Sequence, residues 1–223
     1  SQVIEGVVKF LKEGKTTSDV IIGEGSGFAD TFQAFKIAGV DKVANRWGVK
    51  LVDLNDDEFV EVHPPNALSL KKVRVAKTAA ESTIISVPKL KLHRIAGVTL
   101  SLKNMMGAIT PKGSMHGHLS QNIVDVASVI KPSIAVIDGI IAGEGHETSG
   151  NPVEMNLVIV GTDPVAVDAV GATVMGIQLE HVKHLSLAEE CGLGRSNLER
   201  IQVLGPFGVS IFYLKRDLVN KLE

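Results

Sequence analysis

The sequence predicts an α/β fold, a mainly parallel or mixed sheet covered by helices on both faces. Three observations carry this expectation. Short β-branched runs recur along the chain, segments with apolar residues at helical spacing lie between them, and glycine, proline and acidic clusters punctuate the joins. With 223 residues, the chain suits a single α/β domain spanning 1–223, with room for two lobes meeting near residues 110–130.

The elements follow in order. Val3, Ile4, Val7, Val8 and Leu11 recur at helical spacing directly after Ser1, and Gly14 suits the C-terminal cap. Because an α/β domain often opens with a strand, this start suggests that an N-terminal strand is missing. Val20-Ile21-Ile22 reads as a buried strand running into the turn Gly23-Glu24-Gly25-Ser26-Gly27, with a helix over 28–38 ending at Gly39. Val49 to Asp53 is the next strand, and 54–71, with two prolines and an acidic cluster, reads as a loop-rich excursion. Val73-Arg74-Val75 and Thr83 to Val87 are further strands. Leu119 to Ile130 carries apolar residues at 119, 123, 126, 127 and 130, the pattern of an amphipathic helix. Ser133 to Asp138 and Leu157 to Val160 read as short buried strands, with the glycine- and acid-rich segment 139–155 between them as a connection. Helices are expected over 164–175 and 180–190, and a last strand near 201–204.

Composition removes several classes of function. Hydrophobic residues make up 44% and charged residues 22%, enough apolar material for a core. A net charge of −2 argues against a general nucleic-acid binder. One cysteine, Cys191, builds no disulfide framework, thiolate zinc site or iron–sulfur cluster from this chain, and it suits a reducing cytoplasm. No apolar run approaches the roughly 18 residues that a membrane span needs, so neither nucleic acid nor membrane is an expected partner.

Several local motifs have structural explanations. Gly23-x-Gly25-x-Gly27 could cradle a phosphate, but Phe28 stands where a dinucleotide fingerprint needs glycine and no lysine follows, which favours a tight turn. Asp163 is a good N-cap and Pro164 suits the first helical position. Asp168 lies among Val165, Ala166, Val167, Ala169 and Val170, so a carboxylate there needs a partner, most economically a basic one. Glu144, His146 and Glu147 are of the types that bind divalent ions, on a segment where such clusters are ordinarily just exposed. His181 and His184 share a helical face at i and i+3 and read as surface decoration.

The main anomaly is a gap without acids. Between Glu81 and Asp125 there is no aspartate or glutamate, while Lys89, Lys91, Arg94, Lys103 and Lys112 stand there with His93, His116 and His118. Lys89, Lys91 and His93 follow Pro88 at alternate positions and should point to one side of an extended strand. A positive potential at a strand end suits an anion, crowded lysines lower one another's pKa, and histidine adds acid–base ability. The expected site has Lys103 and His93 as catalytic groups, with Lys89, Lys91, Asn104, Gly107 and Asp168 binding an anionic small molecule or nucleotide-like cofactor.

The stretch VPKLKLHRIAGVTLSLKNMMG resembles the signature of an uncharacterised bacterial and archaeal domain family often joined to ferredoxin-type iron–sulfur modules. Gly23-Glu24-Gly25, Ile137-Asp138-Gly139 and Gly161-Thr162-Asp163-Pro164-Val165-Ala166-Val167-Asp168 extend the likeness over nearly the whole chain. The resemblance implies a ferredoxin-type partner, docked through the basic face by complementary charge. More distantly, His93, Gly97 and Lys103 resemble the core pattern of nickel-pincer lactate racemases. That likeness implies an acid–base histidine at His93, a covalently held pincer nucleotide on Lys103, and a nickel ligand at His116 or His118. Leu100-Ser101-Leu102 replaces the glycine pair of that family, and no histidine stands near Gly25-Ser26 for its second base.

Overall fold

The computed structural model describes residues 1–14 and 18–205, without the side chains of Ser114 and His116. The chain opens with a small unit that has its own core. Helix α1 (Gln2–Glu13) and helix α3 (Val40–Trp47) pack on two parallel strands, β1 (Ile21–Glu24) and β2 (Lys50–Asp53). Val8, Val43, Ala44 and Val49 are buried between them, with Ile22 and Leu51 against the cluster. Between β1 and α3 lies α2 (Thr31–Ala38), which starts where the Asp30 carboxylate accepts the Gln33 N–H at 2.7 Å. It ends at Gly39, whose φ of 69° is the left-handed conformation that glycine adopts without strain.

Two further sheets follow. β3 (Phe59–Val62), β4 (Val73–Ala76) and β8 (Ile109–Thr110) form an antiparallel sheet in the order β3-β4-β8, with the short helix α4 (Lys77–Ala80) after β4. The largest sheet runs β10-β9-β6-β7, from β6 (Lys89–His93), β7 (Gly97–Thr99), β9 (Ile134–Glu144) and β10 (Asn151–Gly161), while β5 (Ile85–Ser86) also pairs with β9. β5 and β6 run parallel to β9; the β6–β7 and β9–β10 pairs are antiparallel. The sheets are therefore mixed, with antiparallel pairings more frequent than the βαβ pattern of the sequence suggested.

Helix α6 (Leu119–Val129) is the shared wall of the two larger cores. Leu119, Ile123, Val124 and Ala127 enter the core over the main sheet, with Leu90, Val98, Leu100, Leu102 and Ile137. Val126 and, just past the helix, Ile130 enter the other, with Val73, Val75, Met105 and Ile109. Apolar residues at 119, 123, 126, 127 and 130 form two adjacent stripes on a 3.6-residue period, so one helix serves two cores. Its Asp125, 1% exposed, accepts N–H bonds from Leu68, Ser69 and Leu70 at 2.8, 2.8 and 2.7 Å. That carboxylate pins the chain at 68–70 to α6, and the stretch 54–71, expected to be a loop-rich excursion, contains strand β3.

Helix α7 (Pro164–Val174) begins as the sequence expects, with Asp163 accepting from the Val165 and Ala166 N–H groups and Pro164 in the first turn. It packs on β9 and β10. Helix α8 (Lys183–Glu190) follows a single 3-10 turn over Leu179–His181. Two expectations are corrected. Segment 139–155 is not a connection: it belongs to β9, β10 and the turn joining them. Its glycines mark close approaches, since a Cβ on Gly139 would lie 2.6 Å from Leu157 Cδ1 and one on Gly143 would lie 3.2 Å from Lys91 Cβ. Residues 201–204 form no strand, because the chain leaves a 3-10 turn at Leu198–Arg200 and pairs with no sheet there.

Candidate functional site

Strand β6 presents Lys89, Lys91 and His93 on one face and buries Leu90 on the other, as strand alternation requires. Its antiparallel neighbour β7 sets Thr99 opposite Lys91 and Gly97 opposite His93. Directly opposed residues project to the same side, so Lys91, His93 and Thr99 share a face. Gly97, at φ 78°, contributes no side chain, and a Cβ there would meet Val182 Cγ2 at 3.2 Å and the His181 carbonyl oxygen at 3.3 Å. That close approach brings the start of α8 against β7.

After β7 the chain turns at Leu100 into a single helical turn, α5 (Ser101–Asn104), which carries Lys103 and Asn104. This turn is held from a distance. Asp168, fully buried on α7, accepts the Ser101 N–H at 2.7 Å and the Leu102 N–H at 2.8 Å, one on each oxygen. Its expected basic partner is thus replaced by two backbone amides, and the carboxylate positions the helix that bears Lys103. Burial outweighs those hydrogen bonds and pushes the Asp168 carboxyl up to about 7. Asn104 is tied down too, its Nδ2 donating to Ser86 Oγ at 3.2 Å.

The lysines differ in what holds them. Lys89 pairs with Asp138 at 2.9 Å and is half exposed. Lys112 donates to the Gly25 carbonyl oxygen at 2.7 Å and to Asn55 Oδ1. Lys91 donates to the Glu147 carbonyl oxygen at 3.2 Å. Lys103, partly buried, has no hydrogen bond or ion pair to a described residue. Burial depresses its pKa, and the neighbouring Lys91 charge depresses it further, against a smaller opposing effect from Glu147.

His93 is 7% exposed, and its Nδ1 accepts the backbone N–H groups of Ile95 at 3.2 Å and Ala96 at 3.1 Å. Two donors aimed at Nδ1 place the ring proton on Nε2, which lies 3.9 Å from Glu147 Oε1. The arrangement fixes the orientation of the His93 ring and its tautomer, with Nε2 as the donor. Glu147 stands at the turn between β9 and β10, where its own N–H, the Arg94 N–H and the nearby histidines hold its carboxyl below the usual range. The acid-free block is therefore faced by acids from distant segments, Asp138 and Glu147, with Asp168 beneath it.

The expectation that His181 and His184 are both surface decoration is corrected for one of them. His184 on α8 is fully buried, and neither ring nitrogen has a hydrogen-bond partner among the described residues. Burial first, then the charges of Lys103 and His93, lower its pKa to about 3. It is a neutral imidazole in electrostatic range of Lys103, whereas His181 is exposed. The usable signal was Leu185 and Ala188, which put residue 184 beside the buried stripe of its helix. At the mouth stands Glu24, exposed by area yet walled closely enough that desolvation raises its carboxyl, against the pull of Lys112 and Lys91. Gly107 touches this mouth: a Cβ on Gly25 would overlap the Gly107 carbonyl oxygen. A groove of about 710 Å³ bordered by Gln178, Glu180, Ser186 and Asn197 lies elsewhere and contains none of the basic residues.

Metal chemistry of the nickel-pincer kind needs a tethering amine and a set of ligands. Lys103 fits the first requirement. The second is not met among the described residues, where no group of three or more His, Cys, Asp and Glu side chains could hold a metal ion. His118 is exposed at the start of α6, and the side chain of His116 lies outside the described residues.

Comparison with known proteins gives the chain a family. The model of the family described as "Domain of unknown function (DUF362)" matches residues 1–173. The chain is similar, at 24% identity over 189 residues, to a thylakoid-associated protein of Synechocystis sp.. That match covers 80% of this chain and 54% of the relative, so the chain spans about half the length of the curated relative it matches. No solved structure matches it. Among the described residues no helix is long and apolar enough to cross a membrane.

Proposed function

We propose that this chain, which belongs to the DUF362 family, binds a small anionic molecule between β6, α5 and α8. Lys103 carries the reading: its ammonium is half-buried and unpartnered among the described residues, with the Lys91 cation beside it. A buried, unpaired charge is costly, and an anion that accepts from both lysines removes the cost. The His184 ring, unpartnered among the described residues and within range of the Lys103 charge, adds hydrogen-bonding groups. Lys89 and Lys112 lie outside this set because Asp138, Gly25 and Asn55 already engage them.

Thermal melts of the parent protein and of Lys103→Ala, with phosphate, nucleotides and short carboxylates, test the proposal. Stabilisation by at least one anion in the parent that disappears in the variant supports it. No shift across the panel in the parent overturns it. Docking of an acidic iron–sulfur partner on the same face is the second reading, favoured by the exposed Arg94 and half-exposed Lys89 at the rim. Such docking should weaken steeply with salt, whereas a recessed anion site should respond less.

A further inference from the structure

We propose that Lys103 is a carbonyl-reactive amine that condenses with a small 2-oxo carboxylate, whose carboxylate rests on Lys91. The inference builds on the anion-site reading and names its ligand class. Of the four lysines at 89, 91, 103 and 112, Lys103 is the one with no hydrogen bond or ion pair to a described residue; the other three are engaged by Asp138, by the Glu147 carbonyl, and by Gly25 with Asn55. A lysine placed in a desolvated site beside a second cation is the arrangement that frees an amine for attack on a carbonyl. Both conditions hold here, burial being the larger and Lys91 the next.

Lys91 has a second use. Its one hydrogen bond to a described residue is to a backbone carbonyl, which leaves its charge available to a carboxylate. A 2-oxo acid places its carbonyl carbon directly beside its carboxylate, which matches Lys91 set opposite Thr99 at the end of β7 and Lys103 on the turn that follows that strand. A further polar side chain lies in electrostatic range of Lys103. His184, buried with both nitrogens unpartnered among the described residues, can donate from one and accept at the other. Glu147, 3.9 Å from His93 Nε2, closes the charged set.

The step balances without an outside reagent. The Lys103 ammonium releases a proton, and its nitrogen attacks the carbonyl carbon, forming C–N while the carbonyl electron pair moves to oxygen. That oxygen takes the released proton and a second one from nitrogen, C–O breaks, and water leaves as the nitrogen lone pair completes C=N. Ammonium plus carbonyl gives iminium plus water, with no net proton gained or lost.

Glyoxylate and pyruvate, each with cyanoborohydride, provide the test on the whole protein, read by intact mass and by peptide mapping. The expected result is a reduced adduct concentrated on Lys103, absent in Lys103→Arg and several-fold weaker in Lys91→Met. Oxalate, which resembles the ligand but cannot condense, should protect Lys103 and raise the melting temperature. Labelling spread evenly over surface lysines, or none on Lys103, overturns the condensation. If oxalate still stabilises the parent in that case, the anion site survives; if no anion stabilises it, both readings fall.

Discussion

Replacing Asp168 with asparagine separates the two forces that act on the helix bearing Lys103. The carboxylate is fully buried and accepts N–H bonds on both oxygens, at 2.7 and 2.8 Å. Burial favours the neutral acid and the hydrogen bonds favour the anion; the balance puts the folded-state pKa at about 7, against an ordinary value of 3.8. A folded pKa above the unfolded one means that the native state holds the extra proton between those values. The contribution is fully present below about pH 4 and is lost as pH rises to about 7. The difference of roughly three units corresponds to about 4 kcal/mol at most. Asparagine removes the titration and keeps one acceptor oxygen, so one N–H of the α5 turn is left facing an amide NH₂, at a cost of about 1–3 kcal/mol. Urea unfolding at several pH values between about 5 and 8 should show the parent losing stability relative to Asp168→Asn as pH rises. Groups common to both proteins cancel in that difference, Asp163 being the charged neighbour to keep intact. A parent that gains on the variant with rising pH would refute the reasoning, because the two amide bonds would then outweigh burial.

Three other outcomes follow from the geometry. Gly25→Ala should lower stability by more than about 3 kcal/mol in urea unfolding, since its Cβ would overlap the Gly107 carbonyl and lie 2.6 Å from Lys112 Nζ. Asp125→Ala should cost about 3–5 kcal/mol and raise proteolytic cleavage within 54–71, because three N–H groups lose their acceptor. His184→Phe should hold or raise the melting temperature while weakening stabilisation by anions, since among the described residues neither ring nitrogen makes a hydrogen bond that phenylalanine would forfeit.

What the sequence revealed depended on how local each cause was. Asp163-Pro164 was legible as a helix start because cap and helix are neighbours in the chain. The apolar spacing of 119–130 was legible for the same reason, though two cores rather than one required it. The β9–β10 hairpin was not, because Gly139 and Gly143 look like turn residues until Leu157 and Lys91 press against them from other strands. Lys89, Lys91, His93 and Lys103 were singled out as candidates through a missing residue type, the acids between 81 and 125. Their different fates were set by Asp138, Glu147 and Asp168, which lie far along the chain.

The distribution of unsatisfied polar atoms says more about Lys103 than its charge does. Buried and half-buried polar groups in a folded chain nearly always find partners, and the described residues generally obey. Asp125 takes three amides, Asp163 takes three, and Glu189 takes two backbone amides and a hydroxyl. Among the described residues six buried side-chain atoms lack a partner, and four of them belong to Thr99, Ser101 and His184. Thr99 lies opposite Lys91, Ser101 begins the turn that carries Lys103, and His184 feels the Lys103 charge. Apolar side chains at these positions would have spared the fold the desolvation cost of each. Four such atoms gathered on the elements around one lysine, against two elsewhere among the described residues, support the proposed anion site, where a ligand's own atoms would complete the hydrogen bonding.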